Sequence, residues 1–170
     1  MKRAPKAIKI GGEFVCAVIR ELKGIPANII REYPSGGNKF DLILTIPQRE
    51  DIRGIIQGNS DLARELVREA ESLIIIECSK GRRFKHIKAN FGEILKLPAL
   101  GDKVVHKVRG VIFVHGEIVN MKYKGYAERL NELIFKPKLR IALVELKEVQ
   151  NKVMEFISLY SSSYELSRVL

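Results

Sequence analysis

The stretch Ser72-Leu-Ile-Ile-Ile-Glu-Cys78 predicts a strand at the centre of a sheet. Its four consecutive apolar residues, Leu73–Ile76, leave no polar face, and β-branched isoleucine favours extended backbone. Such a run is typical of a strand that is covered on both faces. The helix expected before it, Asp61–Glu71 with Ser60 as its N-cap, would supply part of that cover.

Further strands are expected on both sides of this stretch. Upstream, Asn28–Tyr33 and Lys39–Ile46 flank the turn signal Pro34-Ser-Gly-Gly-Asn38 and predict a β-hairpin. Downstream, Phe84–Phe91 alternates between two faces and Val104–Val119 is rich in β-forming residues. The pattern therefore predicts an α+β fold in which an antiparallel sheet packs on helices.

The last part of the chain predicts one long amphipathic helix, from Leu139 to Tyr160. Its apolar residues recur at alternating spacings of four and three, which is the a/d seam of a coiled coil. The seam comprises Leu139, Leu143, Leu146, Gln150, Val153, Ile157 and Tyr160, with Gln150 as a polar register device. We therefore expect an α+β domain over residues 1–137 and a leucine-zipper-like oligomerisation helix over 138–170. The alternative is that the helix packs back on its own domain.

Composition excludes several classes of protein. The 170 residues are 46% hydrophobic, and no apolar run approaches the roughly 20 residues of a membrane-spanning helix. No apolar stretch follows the basic residues of Met1–Lys6, so we expect no secretory signal and a cytoplasmic location. Cys16 and Cys78 lack a second Cys or His at ligand spacing, so we expect neither a metal site nor a disulfide. Absent Trp and abundant Ile, Lys and Glu are typical of thermophile proteins.

Positive charge is concentrated in one segment of the chain. The net charge is +10, yet Met1–Cys78 has 12 Lys and Arg against 11 Asp and Glu, and Leu130–Leu170 has 6 against 5. Ser79–Arg129 has 12 against 4, so it holds eight of the ten excess charges. Cations that neutralise phosphates release condensed counterions, the main source of sequence-independent affinity for nucleic acid. The segment therefore predicts a nucleic-acid-binding surface, against the alternative of an ordinary solvated face.

Aromatic residues lie among the cations of this segment. Single-strand binders combine a positive groove for the backbone with aromatic faces on which bases stack. Alternation along the expected strand puts Phe84, His86 and Lys88 on one exposed face. Phe84 could instead fill the core, and Tyr123 and Tyr126 could pack at the start of a helix. The candidate binding residues are Arg82, Arg83, Phe84, Lys85, His86, Lys88, Lys103, His106, Lys107, Arg109, Lys122, Tyr123, Lys124 and Tyr126.

Residues suited to catalysis are sparse in this sequence. A metal-dependent nuclease of the restriction-enzyme type needs an acidic residue and then a strand bearing Glu-x-Lys. Glu145-Leu-Lys147 has these letters but falls on the expected C-terminal helix, and Glu77-Cys-Ser-Lys80 is one residue too long. The three histidines, His86, His106 and His115, are interpreted as surface or phosphate-contacting residues. We therefore expect a protein without enzymatic activity and without a cofactor.

This layout resembles the archaeal ThermoDBP-related single-strand-binding proteins. The resemblance is architectural and is carried by the strands around Phe84–Phe91 and Val104–Val119, and by the seam from Leu139 to Tyr160. It implies binding of single-stranded DNA or RNA with little sequence preference, no cofactor, and a dimer or tetramer formed through the last helix. We expect residues 1–137 to bind the strand. An RNA-binding or adaptor subunit of a ribonucleoprotein or repair assembly is the alternative, and a metal-dependent nuclease is the third.

Overall fold

The computed structural model describes residues 6–81, 83–118, 120–135 and 139–169, with side chains over 12–81, 83–118, 120–133 and 139–160. Within these ranges six strands form one sheet in the order β3-β1-β2-β4-β5-β6. The strands are β1 (Asn28–Ser35), β2 (Asn38–Ile46), β3 (Ile55–Gln57), β4 (Ser72–Ser79), β5 (Val108–His115) and β6 (Arg140–Glu145). The helices are α1 (Lys6–Glu21), α2 (Asp61–Glu69), α3 (Phe84–Phe91), α4 (Asp102–Val105), α5 (Lys122–Leu130) and α6 (Val149–Val169). Shorter helical turns cover Gly92–Leu100, Asn131–Phe135 and Leu146–Glu148.

The fold is α+β, as expected, but the sheet is mixed. β2 runs antiparallel to β1 and β4, whereas β1 and β3, β4 and β5, and β5 and β6 pair in parallel. The expectation of an antiparallel sheet is wrong for these three pairs. Between β4 and β5 it is wrong because Phe84–Phe91 is a helix, α3, and not a strand. Parallel neighbours need a crossover connection, and the segment from α3 to α4 provides it between β4 and β5. Ile87 and Asn90 are the buried side of this helix.

The central strand confirms the expectation for Ser72–Cys78. Its residues Leu73–Ile76 are 0% exposed. Ile74 and Ile76 face a core that also contains buried residues of α1 and α6. Leu73 and Ile75 face a second core, formed with α2, α3 and α5. Helices therefore cover both faces of the sheet, which is why this strand has no polar side.

The C-terminal helix begins at Val149 and not at Leu139. Arg140–Glu145 forms β6, which pairs in parallel with β5 from Gly110 to His115. The expected single helix is therefore wrong over this part. Ile141-Ala-Leu-Val144 is apolar on both sides, as a strand between two helical layers requires, and all four residues are buried. The sheet thus continues beyond the boundary expected between residues 137 and 138.

Residues of the expected coiled-coil seam lie on several elements and on both faces of the sheet. Val153 and Ile157 of α6 are buried in the core that contains α1, whereas Leu143 of β6 lies in the opposite core. Gln150 is exposed, and its Nε2 donates to the Lys23 carbonyl at 3.2 Å. The other members, Leu139, Leu146 and Tyr160, are half-buried. Oligomerisation through the last helix stays a prediction.

Strand directions bring one set of strand ends together. β1, β4, β5 and β6 end, and β2 begins, at what we call the carboxyl end of the sheet. β5 begins at the opposite, amino end. A strand of eight residues is about 23 Å long, because each residue advances by about 3.3 Å. No helix among the described residues is long and apolar enough to cross a membrane.

Candidate functional site

Three aromatic side chains meet at the carboxyl end of the sheet. α3 begins after β4 and α5 begins after β5, so both helix N-termini lie at this end. The ring of Phe84 stacks on that of Tyr123 with centroids 5.1 Å apart and an interplanar angle of 27°. Tyr126 lies next to Tyr123, at a centroid distance of 6.0 Å. Phe84 is 53% exposed and Tyr126 57% exposed, so both rings keep open surface for a planar partner.

Exposed cations adjoin these rings. Phe84 and Lys88 lie one turn apart on α3, so they point to the same side of the helix. Arg83 and Lys85 flank Phe84, and Lys122 precedes Tyr123 in α5. These three cations and Lys88 are exposed. We call this group the aromatic–basic surface: Arg83, Phe84, Lys85, Lys88, Lys122, Tyr123 and Tyr126.

Two of the expected binding residues near this surface have other contacts. His86 is half-buried, and its ring lies so close to Gly81 that a Cβ at that position would be 2.2 Å from it. The expected shared face of Phe84, His86 and Lys88 is wrong because α3 is helical. Lys124 is half-buried and forms an ion pair with Glu148. Arg82 lies outside the described residues.

The remaining expected residues lie at the amino end of the sheet, before or at the start of β5. Lys103, His106 and Arg109 are exposed there. The Lys107 ammonium donates to the carbonyls of Val67 and Arg68 at the end of α2, which is a helix C-terminal contact. The length of β5 separates this group from the aromatic–basic surface by about 23 Å. The expected binding residues are therefore divided between two ends of the sheet.

His115 is buried and helps to place α3. Its Nδ1 donates to the Gly81 carbonyl at 2.7 Å, and its Nε2 accepts from Nδ2 of Asn90 in α3 at 3.1 Å. The partners determine these roles, because a carbonyl only accepts and an amide nitrogen only donates. The expectation of a surface histidine is wrong here, since His115 is 0% exposed. His115 ties the end of β5 to the segment that carries Phe84.

Two carboxyl groups lie together at the same end of the sheet. The register that pairs Leu42 with Ile76 puts Asp41 of β2 opposite Glu77 of β4. Asp41 Oδ2 accepts a hydrogen bond from the Cys78 amide at 2.8 Å, and the two carboxyl groups interact with each other. Burial, reinforced by the Asp41 carboxyl, raises the pKa of Glu77 to about 9. Burial also raises the pKa of Asp41.

A lysine from a distant segment joins this pair. Lys96 lies in the 3-10 turn Gly92–Leu100, and its Nζ is 3.8 Å from Glu77 Oε2. The same ammonium donates to the Lys39 carbonyl at 2.8 Å and forms an ion pair with Glu93. We call Asp41, Glu77, Glu93 and Lys96 the carboxylate cluster. No three His, Cys, Asp or Glu side chains in the described part of the chain form a group that could hold a metal ion.

Sequence reasoning missed most of this cluster. The usable signal was a single acidic residue in each of two apolar strands, Asp41 and Glu77. No sequence pattern indicates Lys96, because only the folded chain brings it to Glu77. The lysine near Glu77 in sequence, Lys80, is exposed. Glu145, expected on a helix, ends strand β6, and its carboxylate is 3.6 Å from the Lys147 ammonium. The expectation that Glu145-Leu-Lys147 lies on the C-terminal helix is therefore wrong.

Comparison with known proteins gives no match: no family model, no curated protein and no solved structure matches the chain. The resemblance to the ThermoDBP-related proteins stays a prediction.

Proposed function

We propose that this protein binds single-stranded DNA or RNA at the carboxyl end of its sheet, with little sequence preference. The observation that carries the proposal is the exposed stack of Phe84 on Tyr123 among exposed cations. Open aromatic surface is unfavourable in water, and stacking of a base on an aromatic side chain contributes about 1–3 kcal/mol. The adjacent cations supply contacts to phosphates.

Single strands suit this surface better than duplexes. An aromatic side chain stacks on the face of an unpaired base, whereas the base faces of a duplex already stack on one another. Every base has such a face, so the binding is sequence-tolerant. We include in the proposal a cytoplasmic location and assembly into a homo-oligomer.

A binding panel tests the proposal. The probes are labelled oligo-dT and oligo-U of about 8 nucleotides and a duplex of the same length, measured by fluorescence anisotropy at low salt. Wild-type protein is expected to bind both single strands and to prefer them to the duplex. Phe84→Ala and Tyr126→Ala are each expected to weaken binding by about 5- to 150-fold, the equivalent of one lost stacking contact.

Charge variants provide the matched control. Lys85→Gln with Lys88→Gln removes two cations of the aromatic–basic surface and is expected to weaken binding and flatten its salt dependence. Lys103→Gln with Arg109→Gln removes the same charge at the amino end and is expected to leave affinity for a strand of about 4 nucleotides, which is too short to reach both ends, within about twofold. Absence of single-strand binding at low salt would refute the proposal. Equal losses in the two double variants would place the surface elsewhere.

A second candidate function is metal-dependent cleavage of phosphodiester bonds. The observation that favours it is the convergence of Asp41, Glu77 and Lys96 at the end of the sheet that carries the aromatic–basic surface. Carboxylates that hold a divalent cation activate water against phosphate esters. The same labelled strands, incubated with magnesium or manganese, test it in one further arm of the panel. Cleavage that Glu77→Gln abolishes would establish it, and intact strands would leave binding as the function.

A further inference from the structure

The carboxyl group of Glu77 is buried without a hydrogen-bond donor for one of its oxygens. The residue is 3% exposed, and Oε1 receives no hydrogen bond from any group in the described part of the chain. The neighbour that interacts with this carboxyl is itself a carboxyl, Asp41. Two acceptors held together in a buried place need a proton or a cation between them.

Lys96 meets this need only in part. Its ammonium lies 3.8 Å from Oε2, the other oxygen of Glu77. The same group donates to the Lys39 carbonyl and pairs with Glu93. An ammonium has three donors, so these contacts account for them. Oε1 of Glu77 remains without a hydrogen-bond donor among the described residues.

An open cavity of about 360 Å³ borders the carboxylate cluster on the side of Glu93 and Lys96, which line it together with Ser35, Gly36 and Gly92, among others. A water molecule occupies about 30 Å³ of the liquid, so the cavity is large enough for a hydrated cation. Lys96, which lines the cavity, also contacts Glu77.

We propose that Asp41 and Glu77 bind one divalent cation of the magnesium or manganese class, and that a phosphate oxygen of a bound strand completes its coordination. Hard cations prefer carboxylate oxygens, and magnesium is usually held by one or two carboxylates with water and substrate phosphates, not by a full cage of side chains. Such a site needs no third acidic ligand from the protein. The phosphate ligand rests on the proposed nucleic-acid binding, whereas the two carboxylate ligands do not.

Manganese titration tests the site. Free manganese is measured by electron paramagnetic resonance as MnCl2 is added to the protein, with and without oligo-dT. Wild-type protein is expected to bind one manganese ion per chain, and oligo-dT is expected to tighten that binding. Asp41→Asn and Glu77→Gln, which keep the side-chain shapes, are each expected to weaken it by at least about tenfold. Thermal melting followed by circular dichroism checks that both variants fold.

Glu71→Gln is the matched control, because it removes the same charge from an exposed position at the other end of β4. It is expected to bind manganese as the wild type does. The site is refuted if the wild type binds no manganese under either condition, or if Asp41→Asn and Glu77→Gln bind it unchanged; the pair then shares only a proton. If oligo-dT binds without changing manganese affinity, the phosphate ligand is refuted and the carboxylate ligands stand. If manganese binds but oligo-dT does not, the proposed nucleic-acid binding fails and the cation site stands.

Discussion

At the scale of single residues, the protonation state of the buried His115 ring is linked to the position of α3, because the ring contacts Asn90 of that helix. Its ring is held in the neutral form with the proton on Nδ1, because Nε2 accepts from Asn90. Burial lowers the pKa of His115, and the nearby His86 lowers it further, against the opposing effect of the Gly81 carbonyl. Protonation of Nε2 would place its N–H against the donor Nδ2 of Asn90, so the buried hydrogen bond between them would be lost.

This equilibrium predicts a loss of stability in mild acid. The folded-state pKa lies below the ordinary value of about 6.5, so the unfolded chain binds the proton more tightly. The stabilisation is therefore complete above about pH 6.5 and is lost as the pH falls towards the folded-state pKa, by up to about 1.4 kcal/mol per pH unit. Urea denaturation of wild type and His115→Gln between about pH 7.5 and 5 measures it. Equal pH slopes for the two proteins would contradict the prediction.

At the scale of elements, a side chain closes the outer side of β6. Asn131, at the end of α5, donates from Nδ2 to the Ile141 carbonyl and accepts the Ile141 amide at Oδ1, both at 2.7 Å. β6 is the last strand of the sheet, so these backbone groups would otherwise be unpaired. Asn131 is 7% exposed, which makes the loss of either contact costly.

Asn131→Ala is therefore expected to lower the free energy of unfolding by at least about 2 kcal/mol, since two buried backbone groups each lose their partner. Glu128→Ala, an exposed substitution on the same helix, serves as the control and is expected to change it by no more than about 0.5 kcal/mol. Urea denaturation followed by circular dichroism measures both. If the two substitutions cost the same, Asn131 does not hold β6.

In Phe84–Phe91 the local sequence pattern does not determine whether the segment is a strand or a helix. The stretch alternates as a strand does, yet Phe84, Ile87 and Phe91 also recur at the spacing of a helical face. Eight residues are too few to separate the two periods. The parallel arrangement of β4 and β5 favours the helix, because the crossover connection between parallel neighbours is usually helical.

At the scale of the whole molecule, positive charge is spread over two ends of one sheet. The aromatic–basic surface lies at the carboxyl end, and Lys103, His106 and Arg109 lie at the amino end. The separation of about 23 Å exceeds the Debye length of about 8 Å at physiological salt. The affinity for a short nucleic-acid strand bound at one end of the sheet is therefore insensitive to charges at the other end.

A nucleic-acid strand that is long enough is expected to contact both ends of the sheet at once. Phosphates follow one another at intervals of at least about 3.4 Å, so a strand of about 4 nucleotides covers about 10 Å and stays at one end, whereas a strand of about 30 nucleotides spans the whole sheet. With such a strand, Lys103→Gln with Arg109→Gln is expected to weaken binding and to reduce the salt slope by up to about 1.4, or 0.7 per phosphate contact. Anisotropy titrations with strands of about 4 and about 30 nucleotides compare the two cases. A variant that matches the wild type at both lengths would confine binding to the carboxyl end.

The sequence by itself determined the buried central strand, the hairpin before it, the Ser60-capped helix and the aromatic–basic composition of one segment. Each of these depends on neighbours in the chain, where the periods of two and 3.6 residues and the identity of a cap are directly readable. Tertiary structure decided that α3 crosses over, that Arg140–Glu145 is a strand, and that Lys96 lies beside Asp41 and Glu77. These outcomes depend on which strands pair and in which direction, a balance of long-range burial and hydrogen bonding that no local pattern contains.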